Sequence, residues 1–262
     1  MKKLIVTLMV FAMASSSMAA IYYWQNDSGV DSDSMTAGNW ADNGPNDPST
    51  AAPGTADFIY LGVDANSPAT AGTMNVTAGI HNVYRIYAYG GQIDIAAGAR
   101  LHGNNTVQYI GRNSGNTMTI NVEGALTTST TAHIFYVGFD AGSHGQVNIS
   151  GSGYVDGYRY MSGWAGTAQT IIEGDGWLRT RYNNDAQLSL DSDSKMLLRD
   201  NGKIFLFGDR TALVAGYIAS GYITTDQGGS LVYDYDGTWT TVSIYTPPPP
   251  IGDISIEVVP LP

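Results

Sequence analysis

The chain contains no cysteine, so disulfides, thiolate metal sites and a cysteine nucleophile are all excluded, and stability must come from a packed core. Basic side chains are few: 12 Lys and Arg face 23 Asp and Glu, a net charge of −11. Nucleic acid and anionic membrane surfaces are therefore poor partners, because phosphate binding needs clustered cations. Catalytic signatures are missing too. The histidines are His81, His102, His133 and His144, and none has a His-Glu-x-x-His spacing. No Gly-x-Ser-x-Gly elbow stands between a strand and a helix. Beyond the first residues no apolar run approaches the roughly 20 residues that cross a bilayer, so no transmembrane segment is expected in the mature chain.

The first nineteen residues read as an export signal. Lys2 and Lys3 precede an apolar stretch from Leu4 to Ala14, and Ser17-Met18-Ala19 supplies small residues for cleavage after Ala19. The expected destination is the extracellular space or the surface of a bacterium. The remainder is rich in Gly (32) and Tyr (17), which suits short strands joined by tight turns.

A short phrase repeats: two alternating apolar residues, a gap with Gly or Ala, then one more apolar residue. Ile93 and Ile95 lead to Leu101, Met118 and Ile120 to Leu126, Val147 and Ile149 to Val155, and more weakly Ile172 to Leu178. The last residues lie 25, 29 and 23 positions apart. Between them sits a second marker, Tyr109-Ile110-Gly111 and Tyr136-Val137-Gly138, with a degraded copy at Met161-Ser162-Gly163. A period in the twenties marks a solenoid, and alternation makes it strand-based. The expected fold is all-β: a parallel β-helix of about four coils. Its boundaries are a signal peptide (1–19), an N-terminal β cap (20–72), solenoid repeats (73–182), C-terminal coils and cap (183–245) and a Pro-rich tail (246–262). The C-terminal cap comprises a short helix from Asp209 to Ser220, with Leu213, Val214, Tyr217 and Ile218 at helical spacing, and a hairpin around Asp236-Gly237. In the N-terminal cap, Trp24 and Trp40 either pack over the first coil or offer a sugar-stacking platform.

Three stretches resemble exported bacterial proteins with PEP-CTERM-type sorting tails, common in planctomycetes and their relatives. They are Tyr23-Trp24 with Gly38-Asn39-Trp40 and Pro53-Gly54 before Asp57; the Ile110-Gly111 and Val137-Gly138 coils; and Ala215-Gly216-Tyr217-Ile218 running into Tyr222-Ile223 and the hairpin. The resemblance implies a right-handed parallel β-helix. Val259-Pro260-Leu261-Pro262 stands where the sorting tail would begin, without its Glu, apolar helix or basic end. The expectation is a sorting tail that is absent or truncated.

Candidate sites follow from residue type. If the chain is an enzyme, Asp140, Glu173, Asp175 and Arg179 could supply an acid/Arg cleft of the kind polysaccharide lyases and glycosidases use. Glu123 and Asp156 are read into coil turns with them. The plainer reading is that solenoid turns must be polar. Asp31 and Asp33, like Asp191 and Asp193, place carboxylates two apart as calcium loops do, and calcium is the one candidate ion. Tyr109 and Tyr136 hold equivalent coil positions, so their rings would stack, and with Trp164 they form a candidate glycan-binding ladder or a filled solenoid wall. The favoured function is an exported non-enzymatic β-solenoid, a surface, matrix or adhesion component with polysaccharide or cell-surface glycan as partner. The alternative is a carbohydrate-active β-helix enzyme using turn carboxylates. The ends of the stack also leave room for end-to-end self-association.

Overall fold

The computed structural model describes residues 20–24, 34, 36–41, 49, 51–62, 72–129, 133–245 and 247. The expected signal sequence, Asp31 and Asp33, and all of the expected tail but Pro247 lie outside these residues. The chain winds as a parallel β-solenoid with three sheets, named here A, B and C, and each coil gives one strand to each in that order. Sheet A runs through Phe58–Leu61, Arg85–Ala88, Val107–Ile110, Ile134–Val137, Arg159–Ser162 and Leu188–Leu190. Sheet B follows with Thr73–Val76, Gly91–Ile95, Thr117–Val122, His144–Ile149, Thr167–Ile172 and Ser194–Leu198. Sheet C takes Ile80–Val83, Arg100–Gly103, Ala125–Thr128, Tyr154–Gly157, Trp177–Thr180 and Lys203–Phe207.

These make six complete coils, where about four were expected. The additional ones lie on either side of the recognised repeats. Met196 and Leu198 lead to Ile204 as a further copy of the phrase. In the first coil Met74 and Val76 lead to His81, which takes the interior position that Leu101 holds one coil later. A histidine at an apolar position hid that copy. His81 is buried there and its Nδ1 lies 2.7 Å from Ser34 Oγ.

Register converts the repeat into a core. Ile93, Ile120 and Val147 stack as neighbours in sheet B, as do Ile95, Val122 and Ile149, and all are sealed from solvent. Burying each such side chain contributes about 1.5–3 kcal/mol. Where a column turns polar, the intruders bond to one another. Tyr160 and Thr170, both fully buried, join hydroxyl to hydroxyl at 2.8 Å, and Gln187 accepts from Thr180 at 3.0 Å. The second marker is the bend from sheet A to sheet B. Gly62, Gly111, Gly138 and Gly163 all have φ between +66° and +77°, in the left-handed region that glycine adopts without cost.

Both ends carry added elements. Ile21–Trp24 adds to sheet A in parallel, and Trp40–Ala41 pairs with it antiparallel. Trp24 and Trp40 pack edge to face at 5.1 Å and are buried, so they are core and no sugar platform. At the other end, the helix Thr211–Ala219 takes the place of a seventh strand of sheet A. Its Tyr217 hydroxyl donates to Leu188 O (3.0 Å) and accepts from Leu190 N (3.3 Å), satisfying the sheet's open edge. Asp209 precedes the helix and its carboxylate accepts from Thr211 N. The hairpin Ser230–Tyr235 and Trp239–Tyr245 then extends sheet C antiparallel to Lys203–Phe207. No helix among the described residues is long and apolar enough to cross a membrane.

Candidate functional site

Each sheet has an outer face, and the three faces differ. On sheet A, register aligns Tyr23, Tyr60, Tyr87, Tyr109 and Tyr136 in one column. Tyr109 and Tyr136 do stack, with centroids 5.7 Å apart and planes 16° from parallel, and the column continues through Tyr87 at 5.5 Å. Near-parallel stacking covers ring faces with other rings, and Arg112 closes over Tyr109 at 4.6 Å. Burial pushes the Tyr109 phenol above its usual pKa. Mainly ring edges remain for solvent, a poor platform for a sugar's apolar face, and the Tyr87 hydroxyl accepts from Arg85. Trp164 differs: it meets Tyr136 edge-on at 5.9 Å and is 56% exposed.

Sheet B presents amides. Asn148 Nδ2 donates to Asn121 Oδ1 (2.7 Å), and Asn121 Nδ2 to Asp94 Oδ1 (2.6 Å). These groups bond to one another from coil to coil, which ties the coils together and uses one of the two N–H donors of each Asn amide.

Sheet C carries an aromatic-walled cleft, whereas the larger concavity over the amide face of sheet B, about 640 Å³, has no aromatic wall. Trp177 and Arg179 project outward from one strand, beside Lys203 and Phe205 on the next. The hairpin brings Trp239 opposite Phe207, their rings edge to face at 5.4 Å. Asp236 fixes that turn, accepting from Thr238 N (2.7 Å) and Trp239 N (2.8 Å), and these bonds hold its carboxyl below the usual range. Together with Asp175 and Asn201 at the corner, these side chains enclose about 370 Å³. The Arg179 guanidinium lies over both indoles, 5.0 Å from Trp177 and 5.6 Å from Trp239. It is positioned from behind by Asp156, which Arg179 reaches at 2.6 Å and Arg181 also contacts. Asp156 is thus a strand residue on the face of sheet C, not the turn residue expected. The other side of Trp177 stacks on Tyr154 at 4.4 Å, only 5° from parallel. Rigid strands and stacked neighbours hold the aromatic walls in place.

No family model, curated protein or solved structure matches the chain.

The carboxylates expected to act together are dispersed. Asp140 lies at the bend from A to B, 3.5 Å from Arg112 and accepting from Asn113 N. Glu173 lies at the bend from B to C, where it pairs with Arg199 at 3.5 Å and faces the amide side. Only Asp175 and Arg179 line the same cleft. Asp191 turns inward on its own loop, accepting from Asp193 N and Ser194 Oγ, each at 3.0 Å. Among the described residues no group of three or more His, Cys, Asp or Glu gathers as a metal set. His144 bonds to Thr167 Oγ1 on the next coil at 2.7 Å.

Sequence reasoning missed Trp177, Lys203, Phe205 and Trp239. For three of them a signal existed: Trp177 precedes Leu178 and Lys203 precedes Ile204 at the interior position of successive copies, so register makes Trp177 and Lys203 outward neighbours, with Arg179 and Phe205 beside them. Trp239 had no such signal, because an antiparallel hairpin delivers it.

Proposed function

We propose that the chain is an exported, non-enzymatic β-solenoid that serves as a surface or matrix component of a bacterium and adheres to glycan through the sheet C cleft. The observation that carries the reading is the cleft itself: two tryptophans and a phenylalanine lining about 370 Å³, with polar groups of Asp175, Asn201 and Lys203 at its margin. Aromatic walls cover the apolar face of a sugar ring, and a few placed polar groups take its hydroxyls. The signal sequence supplies the export half of the proposal, and the resemblance to PEP-CTERM-type exported proteins agrees with it. Retention on a panel of polysaccharides by the intact chain, lost on Trp239→Ala, is the test. Unchanged retention by that variant would move the site elsewhere, with Trp164→Ala on sheet A the next variant. Retention by neither form would remove the adhesive reading.

One observation favours a second reading. Asp175 and Arg179 share the cleft, and an acid beside a guanidinium is a pairing that glycan-cleaving chemistry uses. Under that reading the pure protein releases reducing ends or unsaturated products, and Asp175→Asn abolishes the release. End-to-end association, if it belongs to the function, would use the edge strand Ser230–Tyr235, on which Val232, Tyr233 and Tyr235 are exposed.

A further inference from the structure

We infer that the sheet C cleft selects an anionic sugar unit, one carrying a carboxylate or a sulfate, and that the Lys203 ammonium recognises the charge while Trp177 and Trp239 hold the ring. This rests on the glycan-binding reading above and adds the class of ligand.

The argument begins with where the few cations lie. The chain as a whole is strongly acidic, with a net charge of −11. Along the six parallel strands of sheet C the balance reverses: Arg100, Arg179 and Lys203 stand against the single carboxylate of Asp156. Two guanidiniums, Arg179 and Arg181, share that carboxylate, so the cluster keeps one positive charge. Asp175 is the one acid lining the cleft, and Asn201 Nδ2 donates to it at 3.0 Å. Lys203 is exposed and makes no ion pair with any described residue. Counting Lys203, the cleft and its backing are net positive inside an acidic molecule. A local field of that sign concentrates an anion where the surrounding surface repels it.

Position matters as much as charge. Lys203 is the register partner of Trp177, so its ammonium is carried beside the indole on the same outer face. A ring seated against the aromatic walls would present a substituent to that ammonium. The guanidinium of Arg179, already between the two indoles, adds positive potential at the same spot. Neutral glycans engage the aromatic walls and the polar margin but gain nothing from this charge.

The test is tryptophan fluorescence titration of the intact chain with three oligosaccharides of equal length: one built of uronic acids, one neutral, and one neutral chain bearing sulfates. The expected result is that at least one anionic oligosaccharide binds about tenfold more tightly than the neutral one, the scale of a hydrogen bond to a charged group. The preference shrinks as salt is raised. Comparison of the uronate and sulfate arms identifies the source of the charge. Lys203→Gln brings the anionic affinity down to that of the neutral oligosaccharide, Lys203→Arg restores the preference, and neither changes the melting temperature, because Lys203 makes no ion pair with any described residue. Equal affinity for all three overturns the anionic inference and leaves the glycan reading standing. Binding of none overturns both.

Discussion

Replacing Gly138 by Ala tests the solenoid at one of its tightest bends. Gly138 makes the bend from sheet A to sheet B in the fourth coil at φ +66°. An added Cβ would lie far inside contact distance of Thr167 O in the next coil and 2.8 Å from Thr167 C. The left-handed backbone alone costs a non-glycine residue about 1–2 kcal/mol. Relieving the clash requires the two coils to part, which breaks the bond from Gly166 N to Gly138 O, now 3.1 Å. An unsatisfied buried backbone group adds about 1–3 kcal/mol. The expected loss is about 2–5 kcal/mol, a large part of the stability of an ordinary domain. Gly151→Ala is the matched control: φ is +58°, but no heavy atom lies within 4 Å of the added Cβ. It should lose only the conformational part, about 1–2 kcal/mol. Urea unfolding followed by tryptophan fluorescence reads both midpoints. If the two variants fall within about 1 kcal/mol of each other, the bend does not press on the following coil and the register is wrong.

Other outcomes follow from single contacts. Tyr217→Phe removes the hydroxyl that bonds Leu188 O and Leu190 N, so hydrogen exchange at Leu190 should accelerate while distant coils keep their protection. His102 and His133 have pKa values lowered by burial, and for His102 also by Arg100. Below the ordinary value of 6.5 the unfolded chain therefore binds more protons, and stability should fall as pH drops from 6.5 through the lower folded values. His102→Asn should shrink that slope. Asp236 shows the opposite assignment with the same direction: its carboxylate is favoured in the fold, so its contribution is complete above 3.8 and disappears as pH falls through the lower folded value. The emission of Trp239 should shift in that range, and Asp236→Ala should remove the shift.

Much of the architecture was legible because it depends on local pattern. Alternation identified the interior residues from Ile93 to Ile172, and the Tyr-x-Gly marker identified the bends. The helix and hairpin followed from the spacing of Val214 and Tyr217 and from Asp236-Gly237. The coil count fell short where one polar residue, His81, replaced the expected aliphatic, although Tyr60-Leu61-Gly62 repeats the marker there. The Tyr109 and Tyr136 stack was readable as a contact. Its chemical use was not, since only register through Tyr87 shows that ring faces are covered. The cleft was hardest to see. Trp177 and Trp239 are far apart in sequence and meet through an antiparallel strand added after the repeat has ended. Asp156 looked like a turn acid, and only the coil register sets it behind Arg179 and Arg181.

The central claim is that this solenoid holds glycan without cleaving it. Incubating the purified chain with acidic and neutral polysaccharides, with and without calcium, and assaying reducing ends and unsaturated products in the same samples in which retention is measured, addresses it directly. The account predicts retention that depends on Trp239 and no accumulation of products. Products that accumulate with the wild-type chain and vanish with Asp175→Asn would contradict it and make the cleft an active site.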